Sequence, residues 1–186
     1  MSGTVIDAAY PPRTLPPGID GIMGYIGGPK ATHVWTAAEW EPFAAVRQFP
    51  AYVPDLTMNP IGQAVEAVEL AERRGWAPHM PAAETRVIVF DTETTVNRSW
   101  WMSMAANVLA GGFIPVDYGS LSTVLENAAA DNIVADWDGI KAIPAGQTIH
   151  GAQYRANVPL LWTTVDYSVF DGWLMARGGV GPRKGT

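Results

Sequence analysis

Short apolar runs recur along the chain, and most of them are bounded by glycine, proline or charged residues. The runs are rich in β-branched and aromatic residues, a composition typical of β-strands. The run at 87–90 is apolar at every position, which predicts a strand buried on both faces. The whole pattern predicts eight strands, at residues 4–9, 21–26, 49–56, 86–93, 113–118, 132–137, 147–154 and 164–170.

Helix signals occupy the gaps between the earlier strands. Thr36 and Glu39 have the spacing of a capping box, in which each side chain satisfies a backbone amide at the start of a helix. Asn59 followed by Pro60 is typical of an N-cap and a first helical position. After residue 137 the helical signal fades, and short irregular segments are expected to join the last strands. Helices are predicted at 37–46, 60–74, 97–110 and 121–130.

This order of elements predicts an α/β fold, a modified TIM-type (β/α) barrel with eight strands and with helices missing around the last strands. The chain has 186 residues, fewer than the roughly 250 typical of such barrels, and the missing helices account for the difference. A doubly wound open sheet is the alternative, but no glycine-rich phosphate loop follows the first strand. We expect one domain over 1–186, with 177–186 as an exposed tail.

Two carboxylates end the fourth predicted strand, Asp91 and Glu93. Side chains alternate along a strand, so these two acids point to the same side. The carboxyl end of a barrel strand is where catalytic groups lie in this architecture. The alternative interpretation is a solvated loop start in which both acids cap the following helix.

Other predicted strands also end in polar or aromatic residues, and in a barrel these ends face one cleft. Crowded carboxylates have pKa values that are pushed apart, so one acid can stay protonated beside ionised neighbours. Cleavage of a glycosidic bond needs this combination of a proton donor and an anion. The predicted cleft residues are the acids Asp7, Asp91, Glu93 and Asp166, and the substrate-binding residues Tyr25, Tyr52, Tyr118, Trp137, Gln153 and Tyr154.

A metal site is the other use of four acids. The three histidines, His33, His79 and His150, lack paired ligand spacing, which disfavours a transition metal. We therefore predict no metal and no cofactor. His150 falls in the seventh predicted strand, where a single histidine is more often a packed residue than a ligand.

The composition and net charge limit the classes of partner that the protein is expected to bind. A net charge of -6 with 12 Lys and Arg argues against a nucleic-acid surface, and the absence of cysteine excludes disulfides and thiol nucleophiles. The start of the chain lacks the features of a signal peptide, and no apolar stretch is long enough to span a bilayer. We expect synthesis in the cytoplasm. Eight tryptophans and six tyrosines suit a sugar-binding cleft.

The strand-end motifs, in their order, resemble glycoside hydrolase family 25, the lysozyme-type N-acetylmuramidases. They resemble still more closely the related glycoside-hydrolase-like domain of unknown function of actinobacteria and their phages. The continuation 8–12 departs from the serine and glutamine-glycine pattern of the muramidases, and 25–30 with 36–39 suits the second group. The motifs are Val5-Ile-Asp7, Asp91-Thr-Glu93, Tyr118-Gly-Ser120, Ala135-Asp-Trp137, Gln153-Tyr154 and 165–170.

The resemblance implies a hydrolase of β-1,4 bonds in peptidoglycan, with release by lysis or carriage on a phage virion as routes to the cell wall. Glu93 would be the general acid, and Asp91 would position the substrate acetamido group or stabilise positive charge. Asp7 and Asp166 would support the cleft and tune the acid. The alternative is a catalytically silent glycan-binding or structural virion module on the same fold. An amidase or peptidase is a third and weaker alternative, because no zinc or nucleophile constellation is visible.

Overall fold

The computed structural model describes residues 1–76, 86–92, 94, 97–127, 129–135, 140–145 and 148–180. Within them the strands are β1 (Gly3–Asp7), β2 (Gly21–Gly27), β3 (Arg47–Tyr52), β4 (Val87–Asp91), β5 (Ile114–Gly119), β6 (Asn132–Ala135), β7 (Ile149–Leu160), β8 (Thr163–Phe170) and β9 (Gly179–Val180). The helices are α1 (Ala37–Trp40), α2 (Pro60–Arg73), α3 (Arg98–Ala110), α4 (Leu121–Asn127) and α5 (Gly172–Arg177), and a 3-10 turn at Glu41–Phe43 follows α1.

Strands β1 to β8 close into a barrel, because β2 pairs with both β1 and β3, and β8 pairs with both β7 and β1. Neighbours from β1 to β7 are parallel, whereas β8 runs antiparallel to both of its neighbours. A tight turn at Leu161 and Trp162 joins β7 to β8, so the last two strands form a hairpin where a regular barrel has a helix. The predicted modified (β/α) barrel is confirmed.

Alternation along each strand separates two apolar layers. One layer fills the barrel interior, and the other lies between the barrel wall and helices α2 and α3. Because the strands are covered on both faces, their apolar runs are nearly continuous. The interior layer includes Val5, Met23, Phe49, Ala51, Val87, Val89, Val116, Ile133 and Phe170. The outer layer includes Ile6, Ile22, Tyr52, Ile88, Phe90, Ala64, Ala67, Met104 and Val108.

The predicted helix caps are confirmed. Thr36 and Glu39 form the reciprocal capping box at the start of α1. The side chain of Asn59 accepts a 2.9 Å hydrogen bond from the backbone N–H of Ile61, and Pro60 is the first residue of α2. No helix among the described residues is long and apolar enough to cross a membrane.

The prediction of an exposed tail from residue 177 is wrong as far as Val180, and residues 181–186 lie outside the described part. Gly178 and Gly179 are buried, and β9 pairs with the start of β3 through Gln48 and Gly179. The side chains of Arg47 and Arg86 both donate to the carbonyl oxygen of Gly178, at 3.2 and 3.0 Å. Strand β9 has only two residues, Gly179 and Val180, so the sequence contains no apolar run that would predict it.

Helix α5 and the start of β1 lie together at the amino end of the barrel. Gly3 is in contact with the side chain of Met175, and Gly172 lies against the backbone of Met1. Strand β9, which pairs with the first residues of β3, is at this end too. The carboxyl ends of the parallel strands therefore open on the opposite side.

Candidate active site

Asp7 is the last residue of β1 and faces the barrel interior, where it pairs in register with Asp166 of β8. Its side chain is buried at 8% exposure, and no hydrogen bond from the described residues reaches its Oδ1. Burial raises the pKa of Asp7 well above its usual range, and the charges of Asp91 and Asp166 raise the pKa further. Asp7 therefore keeps its proton to higher pH than an ordinary aspartic acid.

Asp91 ends β4 on the same interior face and is 6% exposed. The hydroxyl of Tyr25, from β2, donates a 3.0 Å hydrogen bond to Oδ2 of Asp91. Burial and the charges of Asp7 and Asp91 raise the pKa of Tyr25, so it remains a neutral donor. Strands distant in the sequence thus bring one phenol and two acids together.

Asp166 sits on the hairpin side of this group. Its Oδ1 accepts a 2.6 Å hydrogen bond from the backbone N–H of Asn157, a residue in the left-handed region with φ of 55°. Burial raises the pKa of Asp166, while the hydrogen bonds from Asn157 and Gln153 act in the opposite direction. Gln153 in turn accepts a hydrogen bond from the hydroxyl of Tyr118. A polar chain therefore links β5, β7 and β8 along the cleft wall.

A cavity of about 320 Å³ opens beside these acids. Its volume falls in the range of roughly 300–1,000 Å³ typical of small-molecule sites. The acids Asp7 and Asp166 and the phenol of Tyr25 line it, and burial raises the pKa of both acids. The remaining lining residues are Ala8, Ala9, Tyr10, Thr32, Asn157, Thr163 and Thr164.

Six of the predicted cleft residues lie on strand positions that face this interior or its mouth. Glu93 and Trp137 fall outside the described residues, so their placement stays a prediction. The remaining two, Tyr52 and Tyr154, lie on the outer face of their strands. The six are Asp7, Asp91, Asp166, Tyr25, Tyr118 and Gln153.

Tyr52 and Tyr154 do not line the cleft, and both predictions are wrong. The ring of Tyr52 packs 5.8 Å from that of Phe90 in the outer layer, and its hydroxyl donates at 2.6 Å to Glu66 on α2. Tyr154 packs outside the barrel with Val169 and Tyr167. In each case the strand position has the opposite parity to the interior residues, and a one-residue difference turns a side chain to the other face.

Sequence reasoning missed the loop and hairpin residues of the cavity. Tyr10, Thr32, Asn157 and Thr164 line it. They follow no strand-end motif, because they come from loops or from the part of the hairpin that extends past the acids. The length of the seventh apolar-polar alternation, which runs on to Leu160, was the signal for this longer hairpin.

His150 is a packed residue at the other end of the barrel. Its two ring nitrogens lie 2.9 Å from Asp171 and 3.0 Å from Asp131, and its ring stacks on Trp173 with centroids 4.1 Å apart. Both nitrogens are thus occupied by carboxylates. Across the described residues, no group of three or more histidine or acidic side chains could hold a metal ion.

Comparisons with known proteins support the fold. An uncharacterized B. stearothermophilus protein superposes with a TM-score of 0.70 at 18% identity, over 95% of this chain and 100% of that one. The modular autolysin LytC of Streptococcus pneumoniae, in complex with a synthetic peptidoglycan ligand, gives 0.66 at 13% identity, over 91% of this chain and 46% of its own. A family 25 glycosyl hydrolase of Bacillus anthracis gives 0.62 at 13% identity, over 91% and 89%.

Comparison of the sequence with protein-family models and with curated proteins gives no match. The structural likenesses, all under 25% identity, establish the architecture. This chain is a modified barrel of the kind seen in family 25 lysozyme-like domains, and the resemblance found in the strand motifs is confirmed at that level.

Proposed function

We propose that this protein is a glycoside hydrolase that cleaves β-1,4 bonds in the glycan strands of peptidoglycan, as an N-acetylmuramidase does. The observation that carries the proposal is the group of three acids at the carboxyl ends of the strands, in which Asp7 and Asp91 are buried and Asp7 and Asp166 line the cavity. Burying carboxylates costs stability, so acids gathered beside a cavity are better explained by chemistry than by folding.

The chemistry assigned to the site needs a proton donor for the leaving oxygen and an anion for the developing positive charge. Glu93, two positions after Asp91, is the proposed donor. Asp91, held by the hydroxyl of Tyr25, is the proposed anion or acetamido-positioning group. A protonated Asp7 next to Asp91 would keep the total negative charge of the site low enough for Glu93 to ionise and reprotonate during turnover.

The substrate class is supported by a structural neighbour. The pneumococcal autolysin LytC, of which 46% superposes on this chain, was solved in complex with a synthetic peptidoglycan ligand. The polar lining of the cavity, with hydroxyl groups from Thr32, Thr163 and Thr164, suits a carbohydrate rather than an apolar ligand.

The test is the release of new reducing ends from purified cell walls by the wild type and by Glu93→Gln. We expect the substitution to abolish release and to leave binding to the same walls intact. Glu72→Gln, at an exposed position on α2, is the matched control and should behave as the wild type. Undiminished release by Glu93→Gln would refute the assignment. Wall binding by the wild type without any new reducing ends would instead identify a glycan-binding module.

A further inference from the structure

The turn of the β7–β8 hairpin exposes two large apolar side chains. Leu161 is 70% exposed and Trp162 is 81% exposed. The backbone of Trp162 lies in the left-handed region, with φ of 76°, which is costly for a bulky residue. An indole exposed to solvent on a strained turn contributes little to the stability of the fold. Binding of a ligand would explain why it is exposed at this position.

The indole of Trp162 contacts a basic side chain from a distant part of the sequence. The guanidinium carbon of Arg13 lies 4.9 Å from the indole centroid, a cation–π contact between the hairpin and the loop that follows β1. Arg13 is close in sequence to Tyr10, which lines the cavity. The ring is therefore oriented before any ligand arrives, which lowers the entropic cost of binding.

The turn that carries the indole leads directly into the acid-lined cavity. Thr163 and Thr164, directly after Trp162, line that cavity together with Asp166. On the same rim Tyr10 is 53% exposed, and its ring stacks on His33 with centroids 4.9 Å apart and an interplanar angle of 18°. Two exposed rings therefore lie near the cavity, Trp162 in contact with Arg13 and Tyr10 stacked on His33.

We propose that Trp162 is a stacking platform for a hexopyranose ring of a β-1,4-linked amino-sugar chain, outside the acid-lined cavity. This rests on the proposed function and adds a binding site to it. A pyranose ring has a flat face of C–H groups, and a wide planar indole covers such a face better than any aliphatic side chain. Trp162 itself is not among the residues that line the cavity, so we expect the ring to add affinity for glycan strands long enough to extend beyond it.

The test measures affinity for β-1,4-linked N-acetylglucosamine oligomers, one short and one long, in a Glu93→Gln background that prevents turnover. Trp162→Asn removes the ring while keeping a residue that tolerates the left-handed backbone. Trp162→Phe keeps a smaller aromatic surface. Leu161→Asn, in the same turn and similarly exposed, is the control.

We expect Trp162→Asn to weaken binding of the long oligomer roughly tenfold and to leave the short oligomer unchanged. Trp162→Phe should restore part of the loss, and Leu161→Asn should match the parent. Equal affinities of Trp162→Asn and its parent for the long oligomer would overturn the platform. So would equal losses for both oligomers, since these would mean that the ring only shapes the cavity.

The outcome separates this inference from the function on which it rests. If proteins with Glu93 intact release reducing ends from cell walls equally well with Trp162 and with Asn at that position, the hydrolase stands and the platform is refuted. If the wild type neither binds the oligomers nor acts on walls, both are refuted.

Discussion

The hydroxyl of Thr92 donates a 2.8 Å hydrogen bond to the buried carboxylate of Asp117, which joins the residue after β4 to the neighbouring strand β5. The backbone N–H of Thr92 also donates to the carbonyl of Tyr118, and Asn127 donates to the second oxygen of Asp117 at 2.8 Å. Burial raises the pKa of Asp117 to about 6 against these hydrogen bonds. These hydrogen bonds hold the backbone at Thr92, the residue between Asp91 and the proposed general acid Glu93.

Thr92→Val removes this donor while keeping the shape of the side chain. The buried carboxylate of Asp117 then lacks one partner, and we expect a loss of about 1–3 kcal/mol in the free energy of unfolding near pH 7. The loss should shrink near pH 5, because below its pKa of about 6 Asp117 is mostly protonated and has less need of the donor. Urea unfolding at both pH values measures it. Thr57→Val, which breaks a similar bond from an exposed threonine to the partly exposed Asp55, should change little.

Asp7→Asn should stabilise the protein at neutral pH. The folded-state pKa of Asp7 is raised, so the folded protein binds this proton more tightly than the unfolded chain, whose value is about 3.9. Wild-type stability from this group is complete below that value and is lost as pH rises towards the folded-state pKa. The amide avoids this loss, and we expect a gain on the order of 1 kcal/mol near pH 7 that vanishes near pH 4. Thermal melts across this range test it, and a gain independent of pH would contradict it.

Tyr25→Phe and Tyr52→Phe form a matched pair. The first removes the donor to Asp91, and we expect reducing-end release to fall roughly 10–100-fold, the value of one hydrogen bond to a charged group. The second removes a donor to Glu66 in the helical layer and should leave release unchanged. Rates measured on proteins of verified fold decide the matter. Similar rates for the two variants would remove Tyr25 from the site.

Gly24→Ala should destabilise the wall behind Tyr25. A Cβ there would lie 2.7 Å from Cε2 of Trp35, a fully buried ring whose Nε1 donates at 3.0 Å to the carbonyl of Ala9. Since the ring is fixed by that bond and by its aromatic neighbours, we expect a loss of about 1–3 kcal/mol. Gly62→Ala, on α2 with nothing within 4 Å, should instead add about 0.5–1 kcal/mol. Denaturant midpoints of the two variants should move in opposite directions.

The barrel could be predicted because its signals are local. Caps such as Asn59 and the apolar run before Asp91 depend on a few adjacent residues, and the predicted start of α2 and the fourth strand lie close to the observed elements. The ring of acids followed from strand order and from which face each strand end presents. Tyr52 and Tyr154 were predicted wrongly, because each is one position away from the strand residues that face the barrel interior.

Features that depend on contacts between residues far apart in the sequence could not be predicted. Asp117 stands one residue before the predicted Tyr118 and faces the opposite layer, where only the fold brings it to Thr92. The contact of Arg13 with Trp162 joins a loop near one end of the sequence to a turn near the other. Neither the residue types nor their spacing in the sequence indicates such pairs, because the two residues of each pair meet only in the folded protein.

The amino-end placement of Met1, α5 and β9 has a practical consequence. Both described ends of the polypeptide lie on the side of the barrel away from the acids, with Met1 against Gly172 and Gly179 paired to Gln48. A tether attached at either end, to a solid support or to a second module, leaves the mouth of the hollow facing outward. Under the proposed function, this placement keeps the acids open to a glycan in an insoluble wall while the protein is itself anchored.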